Sequence, residues 1–257
     1  MRHVAVVTGG RQGIGRCVAE TLARQGWDLG LIDLESSART IAAIHACGVE
    51  ALDVIADVSD PAGVELATRN VLDRFGHVDA LVNNAGISLI VAAEDTGFAQ
   101  WRRVLDVNLT GPFLLSRAFG QHMLQRRRGA IVNVASIAGL RGFADRAAYN
   151  ASKHGLIGLT RTLAAEWGGR GIRVNAVCPS WVKTEMDDAD QAGGGYTDAD
   201  ITETVPLGRF ATPDDVARAI AFLLDDRLSG FVNGHSLSVD GGWSADGSWR
   251  RLRLSHR

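Results

Sequence analysis

The stretch Val4-Ala5-Val6-Val7-Thr8-Gly9-Gly10-Arg11-Gln12-Gly13-Ile14-Gly15 joins an apolar run, suited to a buried strand, to a turn holding four glycines and the start of a helical pattern. Each glycine costs conformational entropy, so four in one turn need a reason. In a doubly wound sheet the first strand-to-helix turn must let a pyrophosphate approach the backbone, and a Cβ would stand in its way. Gly9 permits the tight turn, Gly13 the approach of phosphate to amide N–H groups, and Gly15 close packing of the helix on the strand. The phosphate then meets the positive end of the helix. Gln12 and Ile14 belong to the same candidate cofactor wall. The spacing G-x-x-x-G-x-G is weak evidence alone, because a glycine-rich turn without a ligand would look the same.

Outward from this turn, short apolar runs recur at regular intervals: 28–33, 49–54, 78–83, 130–136, 172–177 and 235–240. Helical patterns lie between them, and Asp60-Pro61 and Thr212-Pro213 read as N-caps with proline in the first helical position. This alternation predicts an α/β fold: one doubly wound parallel sheet of about seven strands with helices on both faces. We expect a single domain over residues 1–243, a substrate lid at about 185–205 and a basic tail over 244–257 ending RRLRLSHR. Asp33 closes the second strand, 18 residues past Gly15, where an acid can bond the ribose hydroxyls of an adenosine and repel a 2′-phosphate. Asp33, with Leu34 beside it, therefore favours NAD over NADP; Arg11, inside the turn, argues the other way because it could reach a phosphate.

With 257 residues and 46% hydrophobic side chains the chain can bury one large core. A formal charge of −2 argues against a nucleic-acid or anionic-membrane binder. Three cysteines, Cys17, Cys47 and Cys178, form no close pair, suggesting neither a disulfide framework nor a metal site. No apolar run reaches the ~18 residues of a membrane span, and we expect a cytoplasmic protein.

The chemistry concentrates at YNASK, residues 149–153. Residues four apart share a helix face, so Tyr149 and Lys153 can enter one cleft. The chain holds only two tyrosines, and chance would give Tyr-x-x-x-Lys in about two sequences in a hundred of this composition. A phenol near pKa ~10 is a feeble base at neutral pH, but a neighbouring ammonium favours the phenolate and makes a usable proton shuttle. Ser136, thirteen residues earlier, ends the run AIVNVAS at the carboxyl edge of the sheet, where open α/β folds bind ligands.

TGGRQGIG, NNAG at 83–86, Ser136, YNASK and NAVCPSWVKT together resemble the short-chain dehydrogenase/reductase family in its classical branch, from Val4 to Gly242. The resemblance implies a Rossmann fold and a catalytic tetrad of Asn108, Ser136, Tyr149 and Lys153, with the Asn108 side chain holding a water in a relay to Lys153. It implies that Asp57 and Val58 contact adenine. Asn83 to Gly86, including Asn84, Ala85 and Gly86, would line the ribose and diphosphate region. Pro179, Ser180, Val182 and Thr184 would surround the nicotinamide. The family usually has Pro-Gly where this chain has Pro179-Ser180, and serine fits only with negative φ or some strain. Tyr149 would exchange the substrate proton, Ser136 hold the reacting oxygen, and Lys153 lower the tyrosine pKa and bind the nicotinamide ribose.

For substrate the reading favours NAD-linked oxidation of a sugar, polyol or small hydroxy compound. A 3-oxoacyl-[acyl-carrier-protein] reductase using NADPH is the second reading, with Arg126, Arg127, Arg128 and Arg170 as its basic positions. A non-catalytic nucleotide-binding regulator is a third. Residues 185–203 hold seven acids and no Lys or Arg, read first as a solvated lid; Arg141 and Arg146 could greet an anionic group, though surface exposure is the safer expectation. Apolar stripes at Phe113, Leu114 and Ala118 and at Leu156, Leu159 and Leu163, with the family resemblance, imply a homotetramer built as a dimer of dimers.

Overall fold

The computed structural model describes residues 2–192 and 196–247. Val4–Thr8 form strand β1, buried along its whole length, which requires cover on both faces. Side chains alternate across it: Ala5 and Val7 enter one core, Val4 and Val6 the other.

The chain continues through α1 (Gly13–Arg24), β2 (Asp28–Asp33), α2 (Ala38–Ala46), β3 (Ala51–Ile55), α3 (Pro61–Phe75) and β4 (Ala80–Asn83). Then come α4 (Phe98–Leu105), α5 (Gly111–Arg126), β5 (Gly129–Val134), α6 (Ala147–Trp167), β6 (Ile172–Pro179), α7 (Glu185–Ala192), α8 (Asp198–Thr204), α9 (Pro213–Leu224) and β7 (Ser236–Val239). The seven strands pair in parallel in the order β3-β2-β1-β4-β5-β6-β7. Helices α1, α2 and α9 pack on one face through Val18, Leu22, Ile44, Val216 and Ile220. On the other face α3, α5 and α6 pack through Val71, Leu115, Phe119 and Trp167. The predicted helix starts are capped as read: Asp60 accepts from the amides of Ala62 and Gly63, and Thr212 from Asp215.

Strand order reverses between β1 and β4, leaving a crevice above their carboxyl ends, the usual ligand position in such sheets. The glycine turn enters it from β1 and residues 84–86 from β4.

Several expectations are corrected. β5 ends at Val134, and Ser136 is the N-cap of a single 3-10 turn over Ile137–Gly139, its Oγ accepting from the Ala138 amide at 3.1 Å. Asn108 lies in a π-helical stretch, Asp106–Thr110, between α4 and α5. One expectation stands: Ser180 is not in the left-handed region, so it meets the first of the two conditions set for serine and replaces glycine without backbone strain. Leu114, Leu156 and Leu163 are buried in this chain's own cores and Ala118 and Leu159 are partly buried against them, which leaves Phe113 as the exposed part of the apolar stripes. Gly193 to Gly195 and residues 248–257, including Trp249 and the basic tail, lie outside the described residues.

Candidate active site

A single cleft of about 330 Å³ runs from the β2 and β3 ends across the glycine turn to α6, within the usual size of small-molecule sites. Gly9, Arg11, Gln12, Gly13, Ile14, Asp33, Leu34, Asp57, Val58, Asn84, Ala85, Gly86, Ser136, Tyr149, Lys153, Pro179, Ser180, Val182 and Thr184 all line it.

The local chemistry suits a dinucleotide. Gly9 and Gly13 have φ of +66° and +54°, a region that disfavours any side chain. A Cβ on Gly15 would collide with the Gly9 carbonyl oxygen, so this glycine, which does not line the cleft, closes helix onto turn. Asn84 locks the turn by donating from Nδ2 to the Thr8 carbonyl at 2.9 Å and the Gly9 carbonyl at 3.2 Å. The Thr8 hydroxyl answers by accepting from the amides of Asn84 and Ala85, each at 3.0 Å. The Gln12 side chain at the N-cap of α1 makes no capping bond, so the first-turn N–H groups are available to a phosphate where the turn faces the cleft.

Asp33 accepts from the Arg11 amide at 3.0 Å and the Leu34 amide at 2.8 Å, which fixes its carboxylate at the β2 end of the cleft. The Arg11 guanidinium is paired 3.4 Å from Glu35. Burial pulls the Asp57 carboxyl upward, but bonds from the Ser59 hydroxyl and amide and from Arg103 outweigh it and hold the group below its ordinary value.

Tyr149 stands in the first turn of α6 and Lys153 one turn later, both toward the cleft, with the Lys153 Nζ 5.6 Å from the centre of the phenol ring. The ammonium lies over the ring and donates to the Val134 carbonyl at 2.8 Å. The direction of the Tyr149 pKa is upward, and Lys153 is not among its causes. Burial pushes the phenol up, opposed by a hydrogen bond with Ser136 and by Arg146, and reinforced by Asp190. Burial also pushes Lys153 down to about 8, against a small opposing pull from Cys178. Cys178 is fully buried and its thiol is pushed up to about 11, chiefly by burial, as suits a small core side chain.

Asn108 does not line the cleft. It is fully buried, its Nδ2 donating to the Ile87 carbonyl at 2.9 Å and the Ser152 hydroxyl at 3.2 Å, while its Oδ1 accepts from the Ile87 amide at 2.9 Å. A Cβ on Gly86 would sit 3.3 Å from that Oδ1 and 3.6 Å from the Lys153 Nζ. The glycine thus keeps open the space between amide and ammonium. Asn83 is also corrected: it is the last residue of β4, buried, and its Nδ2 donates to Ser116 and Asn133 behind the sheet instead of facing a ribose.

Sequence reasoning missed the far wall. Asp187 and Asp190 do not face water: Asp187 is 6% exposed and accepts from Tyr196 and Gln191, and Asp190 is ion-paired with Arg146 at 3.2 Å. Arg146 lines the cleft with Tyr196, Phe143 and Trp181, whereas Arg141 is outside it, bonded to the Ser244 carbonyl and lying over Trp243. Arg126 is turned inward to the Val78 carbonyl and Asp79, each at 3.0 Å.

A cleft of this build, with a glycine turn at one end and a Ser-Tyr-Lys group at the other, belongs to nucleotide-linked oxidoreductases. The family model described as enoyl-(acyl carrier protein) reductase matches residues 9–244. The D-threitol dehydrogenase of Mycolicibacterium smegmatis is 39% identical over 94% of this chain and 92% of its own. The 3-oxoacyl-[acyl-carrier-protein] reductase of Synechocystis sp. is 38% identical over 93% and 96%. A structure described as an NAD(P)-dependent gluconate 5-dehydrogenase from Beutenbergia cavernae, with bound NADP, superimposes with a TM-score of 0.90 at 41% identity, covering 95% of this chain and 97% of that one. The chain belongs to the short-chain dehydrogenase/reductase family of NAD(P)-dependent oxidoreductases.

Proposed function

We propose that this chain is an NAD-dependent dehydrogenase that interconverts a secondary alcohol and a ketone on a sugar, polyol or other small hydroxy compound. The observation that carries the reading is the convergence of Ser136, Tyr149 and Lys153 on the cleft that the glycine turn and Asp33 open. The dinucleotide, when bound, supplies hydride exchange at its nicotinamide. Gly9, Gly13 and the first turn of α1 would hold its diphosphate, Asp33 its adenosine ribose, Asp57 and Val58 its adenine, and Pro179, Ser180, Val182 and Thr184 its nicotinamide. Ser136 would donate to the substrate oxygen, Tyr149 exchange its proton, and Lys153 anchor the ribose. Asn108 would act through the Ile87 main chain and the space beside Gly86. Residues 185–205 would serve as the lid over this end.

NAD is preferred to NADP because a fixed carboxylate at Asp33 would meet a 2′-phosphate, while Arg11 is already paired with Glu35. NADP in the Beutenbergia structure marks the opposing precedent. The test is a panel of sugars, polyols and hydroxy acids followed by reduced-cofactor absorbance with each nucleotide. Wild type should use NAD, and Asp33→Ala should relax discrimination against NADP by about tenfold or more, the scale of one charged contact. A wild type that prefers NADP overturns the cofactor assignment.

The second reading, an NADPH-linked 3-oxoacyl reductase, is favoured by the Synechocystis relative. It would take Arg128 and Arg170 as carrier contacts, since Arg126 is committed to Asp79. Turnover of a carrier-bound 3-oxoacyl substrate above that of any free alcohol would establish it. A homotetramer in the cytoplasm completes the proposal, supported by Phe113 at 43% exposure on α5 and by the unpaired state of Cys17, Cys47 and Cys178. Sedimentation at micromolar concentration reads the assembly.

A further inference from the structure

Beyond Tyr149 the cleft is walled by a charge pair whose parts are only half used. Arg146 donates from one guanidinium nitrogen to the Ser88 hydroxyl at 3.0 Å and to Asp190 Oδ2 at 3.2 Å. The Ser88 hydroxyl donates to the same Oδ2 at 3.1 Å, closing a three-membered brace. Among the described residues, no partner is seen for Arg146 Nε or its second amino nitrogen, or for Asp190 Oδ1. Both side chains are mostly buried, at 17% and 19% exposure, and both line the cleft.

The position of Arg146 is set by its backbone. Asp145, just before it, is a non-glycine residue at φ +59°, and its carbonyl accepts from the Val91 amide at 2.8 Å, while Val91 and Arg146 form an isolated bridge. The arginine is thereby delivered to the mouth of α6, three residues ahead of Tyr149. From the other side, α7 delivers Asp190. The second acid facing inward, Asp187, is answered by Lys183 at 3.2 Å and by the Tyr196 hydroxyl.

We propose, resting on the dehydrogenase reading above, that Arg146 and Asp190 are specificity-determining residues that select a neutral vicinal diol or longer polyol by pairing one of its non-reacting hydroxyls. A hydroxyl both donates and accepts, and among the described residues this wall leaves donors on Arg146 and an acceptor on Asp190 without a partner. An anionic group finds Arg146 already compensated and a carboxylate at contact distance, which costs what the guanidinium would return. A simple alcohol leaves the pair unused. Phe143 and Trp181, in edge-on contact with ring centres 5.8 Å apart, add an apolar surface to the same cleft for the C–H side of such a substrate.

The pair also faces the reacting phenol, with Arg146 pulling its pKa down and Asp190 pushing it up; Ser136 and Lys153 are the other polar groups beside it. The test uses the purified full chain with NAD and compares kcat/KM for matched neutral polyols, aldonates and simple secondary alcohols. Wild type should favour polyols. Arg146→Met should raise KM for polyols about tenfold, as loss of a bond to a charged donor does, and move the oxidation pH profile of all three classes to higher pH, while KM for simple alcohols changes far less than KM for polyols. Asp190→Asn, which keeps the shape but exposes the guanidinium charge, should move the preference about tenfold toward aldonates and shift the oxidation pH profile to lower pH. Thermal melts confirm that both variants fold.

Wild-type preference for aldonates or simple alcohols overturns the assignment and leaves the dehydrogenase standing. So does an equal loss on all three classes in both variants, the signature of a lid brace alone. Silence of the wild type toward every class with either nucleotide, while nucleotide still binds, removes the dehydrogenase reading and this assignment with it.

Discussion

Tyr149 carries the sharpest consequence of burial at a single residue. Its phenol rests above its ordinary pKa, so it is protonated at neutral pH and ready to donate toward a ketone oxygen. Alcohol oxidation needs the phenolate, and the fraction of that form grows about tenfold per pH unit below the pKa. The rate of oxidation should therefore climb through the alkaline range while ketone reduction declines, and initial rates in both directions across pH 6–11 measure it. Tyr149→Phe should lower kcat by about a hundredfold or more and leave nucleotide binding by calorimetry unchanged. An unchanged rate would return the chain to the binding-only reading. The Tyr149–Lys153 spacing was legible because a helix puts both on one face; the electrostatics were not, since the ammonium's actual partner is the Val134 carbonyl, 19 positions away in the chain.

At the scale of elements, the turn between β1 and α1 and the loop after β4 work as one device, stitched by Thr8 and Asn84. Gly86 is the point of that device nearest to Asn108 and Lys153. Its φ is not left-handed, so alanine is tolerable to the backbone, yet the methyl would fill the space between Asn108 Oδ1 and Lys153 Nζ. Gly86→Ala should cost about 1 kcal/mol or less in stability by thermal melt and lower kcat by about tenfold or more. A kcat that stays at the wild-type value shows the space to be idle. The central strands were readable because buried parallel strands are continuous apolar runs, and two helix starts because Asp60-Pro61 and Thr212-Pro213 cap in the expected way. Two things were not. The π-helical stretch at Asp106–Thr110 has no residue signature, and it turns the Asn108 amide onto the Ile87 main chain. The acids of α7 look solvated in any composition count; it takes partners from elsewhere in the chain, Arg146 and Ser88 for Asp190 and Tyr196 and Lys183 for Asp187, to hold them inward.

Across the whole molecule, folding depends on carboxylates held in ionised form. Asp57, Asp79 and Asp215 are all shifted downward: in Asp57 and Asp79 burial is outweighed by donors, and in Asp215 the Arg209 guanidinium leads. A depressed folded pKa gives stability that is present above the unfolded value near ~4 and lost as pH falls through the folded one. Melting temperature should hold steady from pH 7 to about 5 and then drop as acid is added, and Asp79→Asn should lower it at neutral pH while flattening the acid limb. The same molecule carries an aromatic trio whose use extends past shaping the cleft. Phe143 stacks on Trp243 at 5.2 Å, and Trp181 meets Trp243 edge-on at 5.7 Å, with Trp181 in the cleft wall. Indole emission overlaps the absorption band of a reduced nicotinamide, so the chain contains its own optical gauge of occupancy. Adding reduced dinucleotide should dim the tryptophan signal and brighten the dinucleotide's own, and Trp181→Phe should remove most of that exchange without any label being attached.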